Sequence, residues 1–270
     1  MSDLVPNPQD IAISSNVRPD WLVEDKTMGT DELSQFIIPP RLVITQPLSN
    51  TPLDRYPVGT PIIMPAEEVI GEFDRDELCL VEPFYVVPLF FFTEYTIDNP
   101  REIAAAHGAV RERTFDPTSQ IAIKAGNPKL REFPCPEKPD KMCKYVARLN
   151  YVLYLMSEQH SQAVLFTFKK GEFRNGMAFN SLIKARKAPL FSCQFAADVG
   201  FRENEQGKWY GLDVSNPPEQ VGGWVTNKEL YDQFKEEHLR FAEAHANKLI
   251  LPDLENEDGT SASAGPEPEM

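Results

Sequence analysis

AVLFTFKKGEFRNGMAFNSLIKARKAPLFSCQFAADVGFRENEQGKWYGLDV, residues 163–214, decides how the rest of the chain is read. Val164 to Phe168 is apolar and aromatic, which suits a pleated strand, and Gly171 ends it. From Phe173 to Lys187 the apolar residues Phe173, Met177, Phe179, Leu182 and Ile183 recur at helical spacing. Arg174, Lys184, Arg186 and Lys187 fall largely outside that stripe, so the segment predicts an amphipathic helix stopped by Pro189. Phe191, Cys193, Phe195, Ala197, Val199 and Phe201 then alternate strictly, predicting a long strand over Leu190 to Phe201 with one face buried. Glu203 to Lys208 reads as a hairpin loop, and Trp209 to Val214 as the returning strand.

Strand, helix, strand, strand is the second half of an OB-fold, a small Greek-key barrel with a helix between its third and fourth strands. The expectation is a mainly β protein: a five-stranded antiparallel OB-fold-like barrel with helical additions. Leu78 to Thr96, the most apolar stretch, supplies a core strand interrupted by Pro83 and Pro88. Lys144 to Met156 pairs with Ala163 to Phe168 across a turn at Ser157 to Gln162. The 24 prolines among 270 residues also favour short strands over long helices.

The organisation read outward from this core has four parts. Residues 1–36 are polar and acidic and read as a flexible N-terminal arm, and 37–223 form the OB-fold-like nucleic-acid-binding domain. Within it Arg101 to His107 is a short helix in an otherwise polar loop, Asp98 to Pro128. Residues 224–251 hold a C-terminal helix, in which Thr226 and Glu229 make a capping box and Leu230, Phe234, Phe241 and Leu249 a packing face. Residues 252–270 carry six acids and no base, and read as a disordered acidic tail.

The formal charge of −14 conceals an uneven distribution. Between Gln120 and Lys187 thirteen basic residues face five acids, so that segment is basic inside an acidic chain. Single strands bind where cations follow phosphates and aromatic faces stack on bases. Both kinds of group interleave here, and the candidate DNA-binding residues are Lys144, Tyr145, Arg148, Tyr151, Tyr154, Phe168, Lys169, Lys170, Phe173, Arg174, Lys184, Arg186, Lys187, Trp209 and Tyr210. On the strand, Lys144, Arg148 and Tyr154 share one face while Tyr145 and Tyr151 share the other.

The sequence carries no recognisable enzymatic signature. His107, His160, His238 and His245 sit in no hydrolase or zinc-protease frame, and no phosphate-binding or dinucleotide-binding glycine loop occurs. The expectation is a non-enzyme without cofactor. Cys135 and Cys143 alone do not make a four-ligand zinc site, and the four cysteines read as reduced thiols. No apolar run reaches the length of a membrane span and no signal peptide opens the chain, so a cytoplasmic protein is expected.

FKKGEFRNGMAFNSLIKARKAPLF followed by GKWYGLDV resembles a family of bacteriophage single-stranded DNA-binding proteins with an OB-fold. RLVITQPLS, YPVGTPI and the acidic end are similar too, whereas the clustered cysteines of such proteins are reduced here to Cys135 and Cys143. The resemblance implies a protein that coats single-stranded DNA during phage replication or recombination, without sequence preference. It also implies an acidic tail that docks replication or recombination proteins, and it is compatible with a homo-oligomer. Two other readings stay open: a non-enzymatic phage assembly protein whose basic face meets an acidic partner, and a DNA-processing nuclease with a scattered acidic site.

Overall fold

A computed structural model describes residues 39–47, 49, 53–156, 160–204 and 207–250. The arm expected over 1–36 and the tail expected over 252–270 lie outside the described residues. Twelve strands are present among those described: β1 (Arg41–Ile44), β2 (Pro61–Met64), β3 (Glu68–Val69), β4 (Phe73–Asp74), β5 (Cys79–Leu80), β6 (Phe84–Asp98), β7 (Val110–Thr114), β8 (Glu132–Pro134), β9 (Met142–Met156), β10 (Ala163–Lys169), β11 (Phe195–Asn204) and β12 (Gly207–Ser215). Four α-helices accompany them: α1 (Arg101–His107), α2 (Gln120–Gly126), α3 (Phe173–Ala185) and α4 (Lys228–Ala246).

Ten strands join one strongly curled sheet in the order β12-β11-β6-β9-β10-β1-β2-β3, with β7 added to β6 and β8 to β9. The sheet is thus larger than the five strands expected, and it contains one parallel pair, β1 with β10. The mainly β class holds, and the five predicted strands are consecutive in the sheet, β12-β11-β6-β9-β10, with β12 at its edge. β9 pairs antiparallel with β10 in the expected register region, Ala163 opposite Tyr154 through Lys169 opposite Arg148.

Three local expectations are corrected. Pro88 does not interrupt the core strand, since β6 runs through it where its pairing with β9 shifts register, whereas the predicted stretch does break at Pro83, into β5 and β6. A proline in a central strand is accommodated at such a bulge because it has no N–H to give the ladder. The strand predicted over Leu190 to Phe201 begins only at Phe195; Leu190–Ser192 is a 3-10 turn, closed by Ser192 N and Oγ donating to Pro189 O at 3.0 and 2.6 Å. Phe191 therefore packs against α4, whereas Cys193, Phe195, Ala197 and Val199 point into the curl, although all five share one parity. The cap of α4 is Asn227, not Thr226: its Oδ1 accepts from the Glu229 and Leu230 amides at 2.9 and 3.1 Å.

The polar loop expected between Asp98 and Pro128 contains α1 as read, and also β7 and α2. Ser119 caps α2, and Ile121, Ala122 and Ala125 are buried. Seven residues, of whose four apolar ones Ile123 is exposed, are too short for a readable period.

Three apolar clusters hold the sheet. Tyr151, Leu153 and Leu155 on one face of β9 join Phe168, Phe179 and Phe195 inside the curl, while Val152 on the other face joins Phe234 and Phe241 of α4. A third cluster gathers Ile97, Ile103, Ile121, Cys135 and Cys143. In α3 the predicted stripe holds at Phe173, Phe179, Leu182 and Ile183, but Met177 is 54% exposed and Gly176 is buried in its place. A Cβ on Gly176 would lie 2.8 Å from Phe168 Cβ and 2.9 Å from Leu149 Cδ1, so the helix seats on the barrel through its backbone.

Candidate nucleic-acid cleft

Where β10 leaves β1 behind, its end faces the free edge of β12 across a cleft of about 440 Å³. The edge of β12 is held to β1 by a side chain rather than a ladder. Gln46 Nε2 donates to Tyr210 O at 2.8 Å and Gln46 Oε1 accepts from Tyr210 N at 3.0 Å. One amide reproduces the two bonds of a strand pair, and the remaining length of both edges stays apart.

Among the described residues, the charged ones lining this cleft are Arg41, Lys169, Lys170, Lys208 and one carboxylate, Glu172. Trp209, Tyr210 and the buried Phe166 supply aromatic surface. Lys170 adopts φ 51 and its Nζ lies 3.7 Å from Asp98 Oδ2, with 60% of the side chain exposed. Lys208 is equally open, 3.5 Å from Glu203. Four cations and one carboxylate thus line the cleft beside aromatic rings, with Asp98 and Glu203 near Lys170 and Lys208 from outside the lining.

Of the fifteen candidate residues, Lys169, Lys170, Trp209 and Tyr210 come together here. Arg174, Lys184 and Lys187 are exposed on α3 and the turn after it, a second basic surface that begins two residues beyond Glu172. Arg186 is held against the rings of Phe195 and Trp224, 5.7 and 5.2 Å from their centroids, and donates to Asn216 Oδ1 at 2.8 Å. Lys144 is exposed and pairs with Glu132 at 2.8 Å, away from the cleft. Tyr145 stacks on Phe133, and Tyr154 packs against Phe234.

Arg148, Tyr151 and Phe168 are core residues, and Phe173 packs against the core half-buried. Arg148 is 2% exposed; its Nη2 donates to Asp98 Oδ1 at 2.7 Å and its Nε to Thr96 Oγ1 at 3.2 Å. Tyr151 donates to Asn180 Oδ1 at 2.5 Å, and burial pushes its phenol above the ordinary range. Alternation along β9 is as expected, but both faces are covered, one by the curled sheet and the other by α4. Neither is left for a ligand.

Sequence reasoning missed Arg41, Lys208, Gln46 and Glu172. Lys208 adjoins Trp209 and was within reach of the same basic-aromatic pattern, whereas nothing local in RLVITQP marks Arg41 and Gln46 as cleft residues.

Elsewhere, Cys135 and Cys143 are buried and mutually close. Burial and the Cys135 thiol push Cys143 up to about 11, while the Arg111 guanidinium holds Glu137 down to about 2. Among the described residues no cluster of three or more His, Cys, Asp or Glu is arranged to hold a metal. No helix among them is long and apolar enough to cross a membrane.

Fold and site together define a barrel-like, mainly β protein with an open basic and aromatic cleft. The family model described as Pam3 phage gp34-like protein matches residues 13–247, and the chain belongs to that bacteriophage family. No curated protein and no solved structure matches it.

Proposed function

We propose that this phage protein binds single-stranded DNA in the cleft between β10 and β12, without sequence preference and without catalysis, during replication or recombination in the host cytoplasm. The observation that carries the reading is the meeting of Arg41, Lys169, Lys170 and Lys208 with Trp209 and Tyr210 in one cleft. Cations track phosphates and aromatic faces accept any base, so such a lining binds strands with little base readout. The opening lies between two strand edges bridged by the Gln46 amide.

An OB-type core is the architectural part of the proposal. β6, β9 and β10 form a meander, α3 follows the third strand, and β11 and β12 return so that β11 lies beside β6. This connectivity favours the OB reading, with β1–β3, β7 and β8 as additions. The exposed cations of α3 extend the phosphate path from the cleft, and the acidic segment 252–270 docks partner proteins.

Titration of a labelled short single strand, with duplex as competitor, over a series of salt concentrations tests the proposal. Each phosphate neutralised contributes about −0.7 to the salt slope on single strands. The triple variant K169E/K170E/K208E is expected to flatten the slope by about two while the protein stays folded. Equal affinity for duplex, an unchanged slope, or strand cleavage on adding Mg²⁺ or Mn²⁺ would overturn it.

A further inference from the structure

Glu172 is out of place in an anion-binding cleft. It is the single carboxylate among the described lining residues, its side chain is 12% exposed, and at close range it repels a phosphate. Its contacts account for its presence. Trp209 Nε1 donates to Glu172 Oε1 at 2.8 Å, and Asn175 Nδ2 donates to Oε2 at 2.9 Å. Arg202 Nε lies 3.6 Å from Oε1, partly balancing the charge.

The indole is fixed on a second side by missing side chains. A Cβ on Gly171 would lie 3.0 and 3.1 Å from Trp209 Cζ2 and Cε2, so the ring rests directly on the Gly171 backbone. A Cβ on Gly211 would collide with the Glu172 carboxylate, so that carboxylate reaches the indole only across a bare backbone. Seat and pin leave the ring little rotational freedom.

We infer that Glu172 is a positioning residue that locks the Trp209 indole as a preorganised stacking platform for an unpaired base. The inference rests on the single-strand reading of the cleft. A ring already held in place loses little side-chain entropy when a base stacks on it, so more of the stacking energy appears as affinity. The carboxylate gives up some phosphate attraction in exchange.

This predicts opposite signs for two substitutions at one position. Glu172→Gln removes the charge and keeps an oxygen for the indole N–H, so an oligothymidylate should bind about two- to threefold tighter at low salt. Glu172→Ala removes charge and pin together, and the same strand should bind about tenfold weaker. An abasic strand, which has phosphates and nothing to stack, should bind both variants tighter than the parent protein. In a Trp209→Phe background, which lacks the N–H, Glu172→Ala should bind as tightly as Glu172→Gln.

Acrylamide quenching of Trp209, with Trp21 and Trp224 replaced by Phe, reads the pin without DNA and should rise in Glu172→Ala but not in Glu172→Gln. If Glu172→Ala binds oligothymidylate as tightly as Glu172→Gln, or binds the abasic strand equally badly, or quenches like the parent, the positioning role is overturned. Failure of the parent protein to bind any strand would instead overturn the function on which the inference rests, and the quenching arm would still report whether Glu172 holds the ring.

Discussion

Replacing Arg148 by Met should unfold this protein more readily while leaving the proposed strand binding intact. The guanidinium is 2% exposed, bound to Asp98 Oδ1 at 2.7 Å, and stands in register opposite Glu94, which is fully buried. Methionine of similar length fills the space but leaves two carboxylates in a poorly solvated region with one cation fewer. Breaking a buried pair from one side costs about 3–5 kcal/mol. Lys170, 3.7 Å from the other Asp98 oxygen, and Arg113, 3.3 Å from Glu94, retain part of the compensation, so the lower end, about 3 kcal/mol, is expected. At roughly 2–4 °C per kcal/mol for a chain approaching this size, the melting temperature should fall by about 6–12 °C. Arg148→Met with Asp98→Asn should cost less than the sum of the two alone, because the stranded carboxylate is neutralised. Urea unfolding followed by circular dichroism gives the stability, and oligonucleotide titration well below the transition gives the affinity. A variant of parental stability that had lost strand binding would show that Arg148 meets the ligand, contrary to its burial.

Other expectations follow from the packing. His245 lies 5.6, 4.8 and 5.1 Å from the ring centroids of Phe90, Phe92 and Phe115, and burial lowers its pKa from 6.5. The unfolded chain therefore takes up this proton first, so its contribution to stability is complete above about pH 6.5 and declines as the pH falls towards the folded value. His245→Phe should remove that part of the pH dependence, seen as parallel urea midpoints between pH 7.5 and 5.5; an unchanged slope would refute it. Gly176→Ala should cost about 1–3 kcal/mol by lifting α3 from Phe168 and Leu149, measured by the same unfolding curves. Thiol titration of the native protein should show Cys79 alone reacting readily, since Cys135, Cys143 and Cys193 are buried, with all four reacting in urea; two or more fast native thiols would contradict this.

Much of this architecture is written locally. The apolar, aromatic run Val164 to Phe168, the alternation in Phe195 to Phe201, the helical stripe through Phe179 and the breakers Gly171 and Pro189 specify strands and a helix wherever they occur, because backbone periodicity is a property of neighbouring residues. The charge asymmetry that pointed to residues 120–187 is likewise a local fact, and part of that basic segment, Lys169 and Lys170, lines the cleft. Tertiary structure decided which of those residues are available. Arg148 is as basic in sequence as Lys169, yet it is neutralised by Asp98, fifty residues away in the chain, and covered on a strand buried on both faces. The cleft itself joins Arg41, Lys169, Lys170, Lys208 and Trp209, which meet only because the sheet curls and Gln46 draws the edge of β12 to β1. Burial and cross-strand charge pairing depend on which distant segment arrives at each face, and one-dimensional spacing carries no record of that arrival.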